Sequence, residues 1–209
     1  MIHIEQFIFN PFQENCSLVW DDDGHCAVVD PGYIDAERND IVALIERKNL
    51  KPACILLTHA HFDHVMGIDG WVKEFGVPVY LHEEEKKILE DPELNLSGLF
   101  GTSYSYGDVK CLKDGQVMDI AGFNFKIIHT PGHTCGGCCY YCEAEEVLIS
   151  GDTLFYQSVG RSDFPTGSMG TLVRSIKEKL FCLPDDVMVY PGHNDATCIG
   201  DEKKYNPFV

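Results

Sequence analysis

The sequence predicts an α+β fold in which mixed β-sheets carry helices on their outer faces. Short apolar segments alternate with amphipathic helical segments along much of the chain, an order typical of parallel strands joined by helices. Elsewhere consecutive strands are separated only by turns, which predicts antiparallel pairs within the same sheets. With 209 residues, 44% hydrophobic and 23% charged, the chain has the length and composition of a globular domain. We therefore expect a single domain over residues 1–209.

The first half of the chain contains strands and helices in turn. The acidic turn Asp21–Gly24 predicts a hairpin between the second and third strands. A helix is expected to begin at Asp35, because apolar residues then recur at helical spacing. The predicted strands are residues 2–9, Ser17–Trp20, Cys26–Val29, Ala53–Leu57 and Val77–Leu81, and further helices are predicted over Val65–Phe75 and residues 83–90.

The second half begins with a segment that lacks any periodicity, Asp91–Asp108. A loop of this length is uncommon and often functional. Strands are then predicted at Gln116–Ile120, Phe123–His129, Cys138–Cys142, Val147–Ser150 and Val187–Tyr190, and Leu172, Ile176 and Leu180 mark a last amphipathic helix.

The charge of the chain excludes some classes of partner. Lysine and arginine total 16 against 33 acidic residues, a net charge of −17, which disfavours nucleic acid and anionic membrane surfaces. The chain opens without a secretory signal pattern and contains no apolar run of about 18 residues. We expect a cytoplasmic protein whose ten cysteines are reduced thiols.

The strongest chemical signal is the segment Thr58–His64, which directly follows a predicted strand. In extended backbone, His59 and His61 project to the same side, and Asp63 and His64 lie where the chain turns into the next helix. Imidazole nitrogen and carboxylate oxygen are suitable ligands for zinc and other first-row metals. The alternative, a few solvated histidines in a loop, fits this dense pattern poorly.

Three more candidates stand at the ends of later strands: His133, Asp152 and His193. Each is weak alone, because Pro-Gly and Gly-Asp are ordinary turn residues. Their shared position favours one site at one edge of a sheet. Seven ligands exceed one tetrahedral zinc but suit two metals that share a carboxylate and hold a hydroxide between them.

In this combination and order, these residues resemble the metallo-β-lactamase superfamily. The resemblance runs from Val29–Gly32 to Asn206–Phe208 and implies a four-layer αβ/βα sandwich of two mixed sheets flanked by helices. Within the superfamily, Gly151–Phe155 and Gly160–Phe164 are most similar to the glyoxalase II group and its short bacterial relatives.

The resemblance implies a role for each candidate residue. One metal would be held by His59, His61 and His133, the second by Asp63, His64 and His193, with Asp152 bridging them. Asp30 would support the site rather than bind metal itself. Arg161 matches a basic position that contacts glutathione in the larger relatives, although a surface or ion-paired arginine is an equal alternative.

The sequence also departs from the glyoxalase II pattern. The larger enzymes have an additional C-terminal helical region, and the resemblance supplies no residue here for its glutathione contacts. Near Arg161 those enzymes have a tyrosine where Asp163 stands. After His193 the short relatives usually have glycine, and this chain has Asn194. These departures concern the substrate rather than the metals.

The function that follows is a metal-dependent hydrolase of thioesters of glutathione or a similar thiol, with two divalent metals, zinc or alternatively iron or manganese. Asp63 and Asp152 would be its catalytic carboxylates, since no Gly-x-Ser-x-Gly nucleophile motif is present. From their position alone, Tyr104 and Tyr106 in the long loop are expected to bind substrate. Oligomeric state is not predicted.

Two alternatives remain. An iron-dependent persulfide dioxygenase of the same fold would hold one iron with His59, His133 and Asp152. A non-enzymatic binding protein on this fold is disfavoured, because a structural zinc site usually closes its coordination.

Other polar clusters are expected to be structural. Cys135, Cys138, Cys139 and Cys142 have zinc-like spacing, but alternation along a strand would keep them from converging. The other cysteines are predicted to be packing residues, and His3, His25, His82 and His129 to be non-ligands. The acidic runs Asp21–Asp23 and Glu83–Glu85 are predicted to be solvated.

Overall fold

In a computed structural model that describes residues 1–32 and 39–209, strands and helices form four layers. The described residues contain two six-stranded sheets and one short hairpin. The strands are β1 His3–Phe9, β2 Glu14–Trp20, β3 His25–Val29, β4 Lys51–Leu56, β5 Val79–His82, β6 Val109–Leu112, β7 Val117–Ile120, β8 Phe123–His129, β9 Cys138–Cys142, β10 Val147–Gly151, β11 Leu154–Phe155, β12 Ser158–Val159, β13 Met188–Pro191 and β14 Thr197–Cys198.

The helices lie on the outer faces of the two sheets. They are α1 Asn39–Lys48, α2 Phe62–Val65, α3 Ile68–Phe75, α4 Lys86–Glu90, α5 Met169–Ser175 and α6 Ile199–Tyr205. Short 3₁₀ segments cover Glu83–Glu85 and Ser97–Phe100, and a π-helical turn, Ile176–Leu180, extends α5.

Both sheets are mixed, as the sequence predicts. Sheet 1 has the order β1-β2-β3-β4-β5-β6, with antiparallel pairing from β1 to β3 and parallel pairing from β3 to β6. Sheet 2 has the order β14-β13-β10-β9-β8-β7, and its parallel pair is β10 with β13. The predicted hairpin across Asp21–Gly24 joins β2 and β3.

Three apolar clusters hold the layers together. The central cluster lies between the sheets and includes Leu56 of β4 and Phe125 of β8. Sheet 1 packs its outer face against helices α1 and α3 through residues such as Ile41 and Trp71. Leu172 and Ile176 cover the outer face of sheet 2. Because side chains alternate along each strand, apolar residues point to both faces of each sheet. Packing on both faces produces the metallo-β-lactamase type of sandwich that the resemblance implies.

The structure corrects several element predictions. The helix predicted over Val65–Phe75 begins only at Ile68 as α3, because Val65 ends the short helix α2 and a turn at Met66–Gly67 separates the two. The predicted helix 83–90 starts with a 3₁₀ turn. Strand β6, the β11–β12 hairpin, β14 and α6 were not predicted. The predicted helix start at Asp35 lies outside the described residues. Among the helices described, none has the length and apolar character needed to cross a membrane.

Candidate metal centre

The seven predicted metal ligands lie at the carboxyl ends of four strands. The segment His59–His64 follows β4 of sheet 1, and His133, Asp152 and His193 follow β8, β10 and β13 of sheet 2. The two sheets face each other, so their strand ends meet at one edge of the sandwich. The topology therefore brings together side chains that are far apart in sequence.

The first group of donors consists of His59, His61 and His133, all buried. One potential ligand atom from each lies within 4.8 Å of the others. His133 Nε2 approaches His61 Nδ1 at 2.9 Å. The other ring nitrogen of His133 contacts the backbone carbonyl oxygen of Arg161 at 2.6 Å, which fixes the orientation of the ring.

The second group consists of Asp63, His64 and His193. His64 Nε2 lies 3.4 Å from His193 Nε2, and Asp63 Oδ2 lies 3.6 Å from His193 Nε2. Glycine at position 192 is required by this packing, because a Cβ atom there would lie 2.3 Å from Asp152 Oδ1. Asn194, which stands where short relatives have glycine, adopts a left-handed φ of 67°, a conformation that asparagine tolerates better than most residues.

Asp152 lies between the two groups. Its Oδ2 is 3.5 Å from His133 Nε2 and 3.6 Å from His193 Nε2, and its Oδ1 is 3.6 Å from His64 Nε2. Each carboxylate oxygen therefore faces imidazole nitrogens, and the residue has contacts on both sides. This is the position a bridging carboxylate would occupy.

The donor chemistry fits divalent metal ions. His59 Nε2 of the first group and Asp152 Oδ1 between the groups are buried and have no hydrogen-bond partner. Buried polar atoms are almost always paired, so unpaired atoms gathered at one point indicate a missing common partner. A cation supplies that partner for imidazole and carboxylate donors together.

The electrostatics of His59, His61 and Asp152 agree with this. Burial, reinforced by neighbouring histidines, keeps the pKa values of His59 and His61 well below the usual value, so both rings are neutral as metal ligands must be. Burial opposes ionisation of Asp152, but the facing His193, His64 and His133 outweigh it and lower its pKa.

Asp30 supports the site from behind His64. Its Oδ1 accepts a hydrogen bond from the Thr58 backbone N–H at 2.7 Å, and its Oδ2 accepts one from Thr58 Oγ1 at 2.6 Å. Oδ2 also lies 3.1 Å from His64 Nδ1, which leaves His64 Nε2 directed at the second group. Asp30 lies close enough to His59 and His64 to count as a donor itself, but its oxygens already have these partners.

Residues that the sequence did not single out also border the site. Glu14 is fully buried, and its Oε1 lies 4.0 Å from His64 Nδ1. Phe62, between two donor residues, stacks on Phe100 with ring centres 4.4 Å apart, and Phe12 meets both rings edge-on. These phenylalanines come from a turn, from helix α2 and from a 3₁₀ segment, so no spacing in the sequence predicts that they meet.

Arg161 lies beside the centre, but its side chain is mainly exposed. It forms two hydrogen bonds to the Asp163 carboxylate, both 2.7 Å long, and its guanidinium stacks 4.0 Å above the Phe164 ring. Phe164 in turn contacts His61, with ring centres 5.8 Å apart. The arginine is thus ion-paired with Asp163, and Phe164 connects it to His61 of the first group.

Tyr104 and Tyr106 lie elsewhere, against the cluster between sheet 1 and its helices. The Tyr104 hydroxyl is buried there, and burial, with Asp69 nearby, raises its pKa. Burial also raises the pKa of Tyr106. The substrate contacts of the two tyrosines stay a prediction.

The prediction that Glu83–Glu85 is a solvated face is wrong for one residue. Glu83 and Glu84 are exposed, but Glu85 is completely buried and accepts three hydrogen bonds. Burial raises the pKa of Glu85 to about 7, although the hydrogen bonds from Thr134, Ala60 and Gly136 oppose the shift. Nothing in the sequence distinguishes Glu85 from its exposed neighbours, so its burial could not be predicted.

The cysteine cluster does not converge. Cys138 and Cys142 face the core between the sheets, Cys139 faces the opposite side of β9, and Cys135 is exposed in the preceding loop. In the described parts of the chain, no cysteine belongs to a group of potential metal ligands, and neither do the histidines predicted to be non-ligands, His3, His25, His82 and His129.

Comparison with known proteins places these features in a family. The family model of the metallo-beta-lactamase superfamily matches residues 9–193. The hydroxyacylglutathione hydrolase GloC of Haemophilus influenzae is 39% identical over 211 residues, covering 100% of this chain and 98% of that protein.

Two solved structures are similar over almost their whole length. The crystal structure of the BLEG-1 B3 metallo-beta-lactamase has a TM-score of 0.92 at 40% identity and covers 99% of each chain. That of TTHA1623 in a di-iron-bound form has a TM-score of 0.86 at 36% identity, covering 98% of this chain and 100% of the other. The donor-rich strand ends, the four-layer sandwich and these matches together show that the chain belongs to the metallo-β-lactamase superfamily.

Proposed function

We propose that the protein is a metal-dependent hydrolase of thioesters, acting on acyl derivatives of glutathione or a similar small thiol. The observation that carries this proposal is the pair of adjacent donor groups with Asp152 between them. A structural site would close around one ion, whereas two adjoining sites that share a carboxylate are typical of hydrolytic centres.

In this proposal His59, His61 and His133 hold one divalent ion, and Asp63, His64 and His193 hold the other, with Asp152 shared. Bound there, divalent ions such as zinc, or alternatively iron or manganese, would supply Lewis-acid chemistry: a pKa of water lowered towards about 7 and a polarised carbonyl oxygen. Asp63 accepts a hydrogen bond from the attacking water and orients it. Asp30 and the Arg161 carbonyl hold the rings of His64 and His133 in the required orientation.

The choice of a thioester rests on the similarity to the hydroxyacylglutathione hydrolase GloC, which covers the whole chain. Arg161 stands at the rim of the centre, where its guanidinium would bind a carboxylate of the thiol moiety once Asp163 is displaced. Tyr104 and Tyr106 stay predictions as substrate contacts. We further propose a cytoplasmic location and a small-molecule substrate rather than a nucleic acid or a membrane.

The test is elemental analysis of the purified protein combined with a panel of thioesters that includes S-lactoylglutathione. We expect two metal ions per chain and release of free thiol without consumption of oxygen. A single iron per chain with persulfide-dependent oxygen uptake would instead establish the dioxygenase alternative and overturn the hydrolase. Metal-loaded protein with neither activity would overturn the choice of substrate.

A further inference from the structure

Glu85 links the two loops that supply the three-histidine site, which is the group of His59, His61 and His133. Its Oε1 accepts a hydrogen bond from the backbone N–H of Ala60 at 3.0 Å. Its Oε2 accepts hydrogen bonds from Thr134 Oγ1 at 2.9 Å and from the backbone N–H of Gly136 at 2.8 Å. One buried carboxylate therefore joins the loop after β4 to the loop after β8.

The donors to Glu85 are immediate neighbours of the three histidines. Ala60 lies between His59 and His61, and Thr134 follows His133. The two loops belong to different sheets, and apart from Glu85 they are joined by a backbone hydrogen bond from Cys138 N–H to the Thr58 carbonyl oxygen at 2.9 Å. The Glu85 carboxylate fixes their spacing at Ala60, Thr134 and Gly136, because both of its oxygens must reach their donors at the same time.

The packing around Gly136 provides independent support. A Cβ atom at this position would lie 2.3 Å from the backbone nitrogen of Glu85 and 2.6 Å from its Oε2. The loop after β8 is thus pressed directly against the Glu85 backbone as well as its side chain. Only glycine permits this close approach. The loop after β8 and the Glu85 backbone are therefore in direct contact at Gly136.

We propose that Glu85 is a positioning residue that sets the metal affinity of the three-histidine site by holding its two loops at a fixed spacing. The proposal rests on the ligand assignment made under the proposed function. Glu85 itself need not touch the metal or the substrate. Outer hydrogen-bond partners of this kind typically change metal affinity by about 10–100-fold when they are removed.

The isosteric substitution Glu85→Gln changes the hydrogen bonds that this side chain accepts without changing its shape. Glutamine has one oxygen and one NH₂ group where glutamate has two acceptor oxygens. Whichever way the amide turns, its NH₂ group faces either Ala60 N–H or the Thr134 and Gly136 donors. At least one backbone N–H, that of Ala60 or that of Gly136, therefore loses its acceptor, although the volume of the side chain is unchanged.

The experiment is a Zn²⁺ titration of the full-length protein against a competing chelator. In a His193→Ala background, which leaves the three-histidine site, we expect Glu85→Gln to weaken Zn²⁺ binding by about 10–100-fold. The Co²⁺ absorption spectrum of the same site should change as well. The matched control is Glu84→Gln, an exposed neighbour with the same chemical change, which should alter affinity by less than about twofold.

A purely structural role for Glu85 predicts a different result, because general loosening would weaken both metal sites. In a His59→Ala background, which leaves Asp63, His64 and His193, Glu85→Gln should therefore change Zn²⁺ affinity by less than about threefold. Equal losses at both sites, or unchanged affinity at the three-histidine site, would overturn the proposal.

If Glu85→Gln does not fold, as judged by circular dichroism, Thr134→Val decides the question. Valine keeps the shape of this buried residue and removes one of the three donors. Weaker Zn²⁺ binding at the three-histidine site supports the proposal, and unchanged binding overturns it. A wild-type chain that binds no Zn²⁺ would overturn the ligand assignment itself, an outcome distinct from failure of the Glu85 proposal alone.

Discussion

At the scale of single residues, the site is built from side chains that each have two tasks. His133 and His64 direct one ring nitrogen to the centre and the other to an acceptor, which fixes the ring orientation. Asp30 uses both oxygens to tie the backbone and hydroxyl of Thr58 to His64. Such supporting contacts determine how exactly the donors are placed before any ion binds.

The Thr58 hydroxyl provides a test of this support. Thr58→Val removes the 2.6 Å hydrogen bond to the buried Asp30 carboxylate while keeping the shape of the side chain. We expect the metal-free protein to lose about 1.5–3 kcal/mol of unfolding free energy, measured by urea denaturation. Thr171→Val in α5, whose hydroxyl contacts the exposed Ser168 hydroxyl at 3.0 Å, should change it by less than about 0.5 kcal/mol. Equal effects of the two changes would refute the role of Asp30.

At the scale of elements, loops that carry donors are fixed to their neighbours rather than free. The loop after β8 approaches helix α5 at Gly132, whose carbonyl oxygen accepts a hydrogen bond from Ser168 N–H at 2.7 Å. Gly132 has a φ of +139°, and a Cβ atom there would lie 2.3 Å from Leu172 Cα. The position of His133 therefore depends on the contact between this loop and α5.

Gly132→Ala should break that contact. An alanine strains the backbone and meets the α5 backbone directly, so we expect a loss of more than about 2 kcal/mol of unfolding free energy, together with weaker metal binding. Gly170→Ala is the matched control within α5, since a Cβ atom there meets nothing within 4 Å. That change should be neutral or stabilising by up to about 1 kcal/mol. A well-folded Gly132→Ala protein with normal metal binding would contradict this account.

At the scale of the whole molecule, sequence patterns predict the strands and helices that have a regular apolar periodicity. They miss the elements whose formation depends on tertiary contacts. The strands that bear donors were predicted because apolar runs precede each polar turn, and β8 and β9 have the predicted bounds. Strand β6 was missed because Val109–Leu112 is half exposed and follows an irregular loop.

The candidate site shows the same division. The seven donors were recognisable because histidine and aspartate stand at strand ends in an unusual density. Glu85 was not, because a glutamate next to two exposed glutamates has no feature that indicates burial. The burial of the Tyr104 hydroxyl was not predictable for a similar reason, since a loop residue gives no sign of which side of the sheet it covers.

The exposure and the pKa of each cysteine thiol predict which of them react with a thiol reagent in the folded protein. Cys111, Cys135 and Cys182 are exposed, while burial raises the pKa of Cys26 and Cys54 to about 12 and that of Cys139 to about 11. Because the thiolate is the reactive form, the buried thiols stay protonated and protected at pH 8. We expect an aromatic disulfide reagent to label Cys111 and Cys182 rapidly, Cys135 more slowly because burial raises its pKa, and all ten thiols after denaturation without reductant. Fewer than ten in the denatured protein would reveal a disulfide and contradict the expectation of reduced thiols.

The central claim is that Asp152 joins two groups of donors into one dinuclear centre. The most direct test is to measure Zn²⁺ bound per chain together with thioester turnover for Asp152→Asn, with the exposed Asp195→Asn as control. Because the amide replaces a shared anionic oxygen by NH₂, we predict loss of bound metal and loss of turnover together, while the control keeps both. An Asp152→Asn protein that retains two Zn²⁺ ions and full turnover would contradict the account.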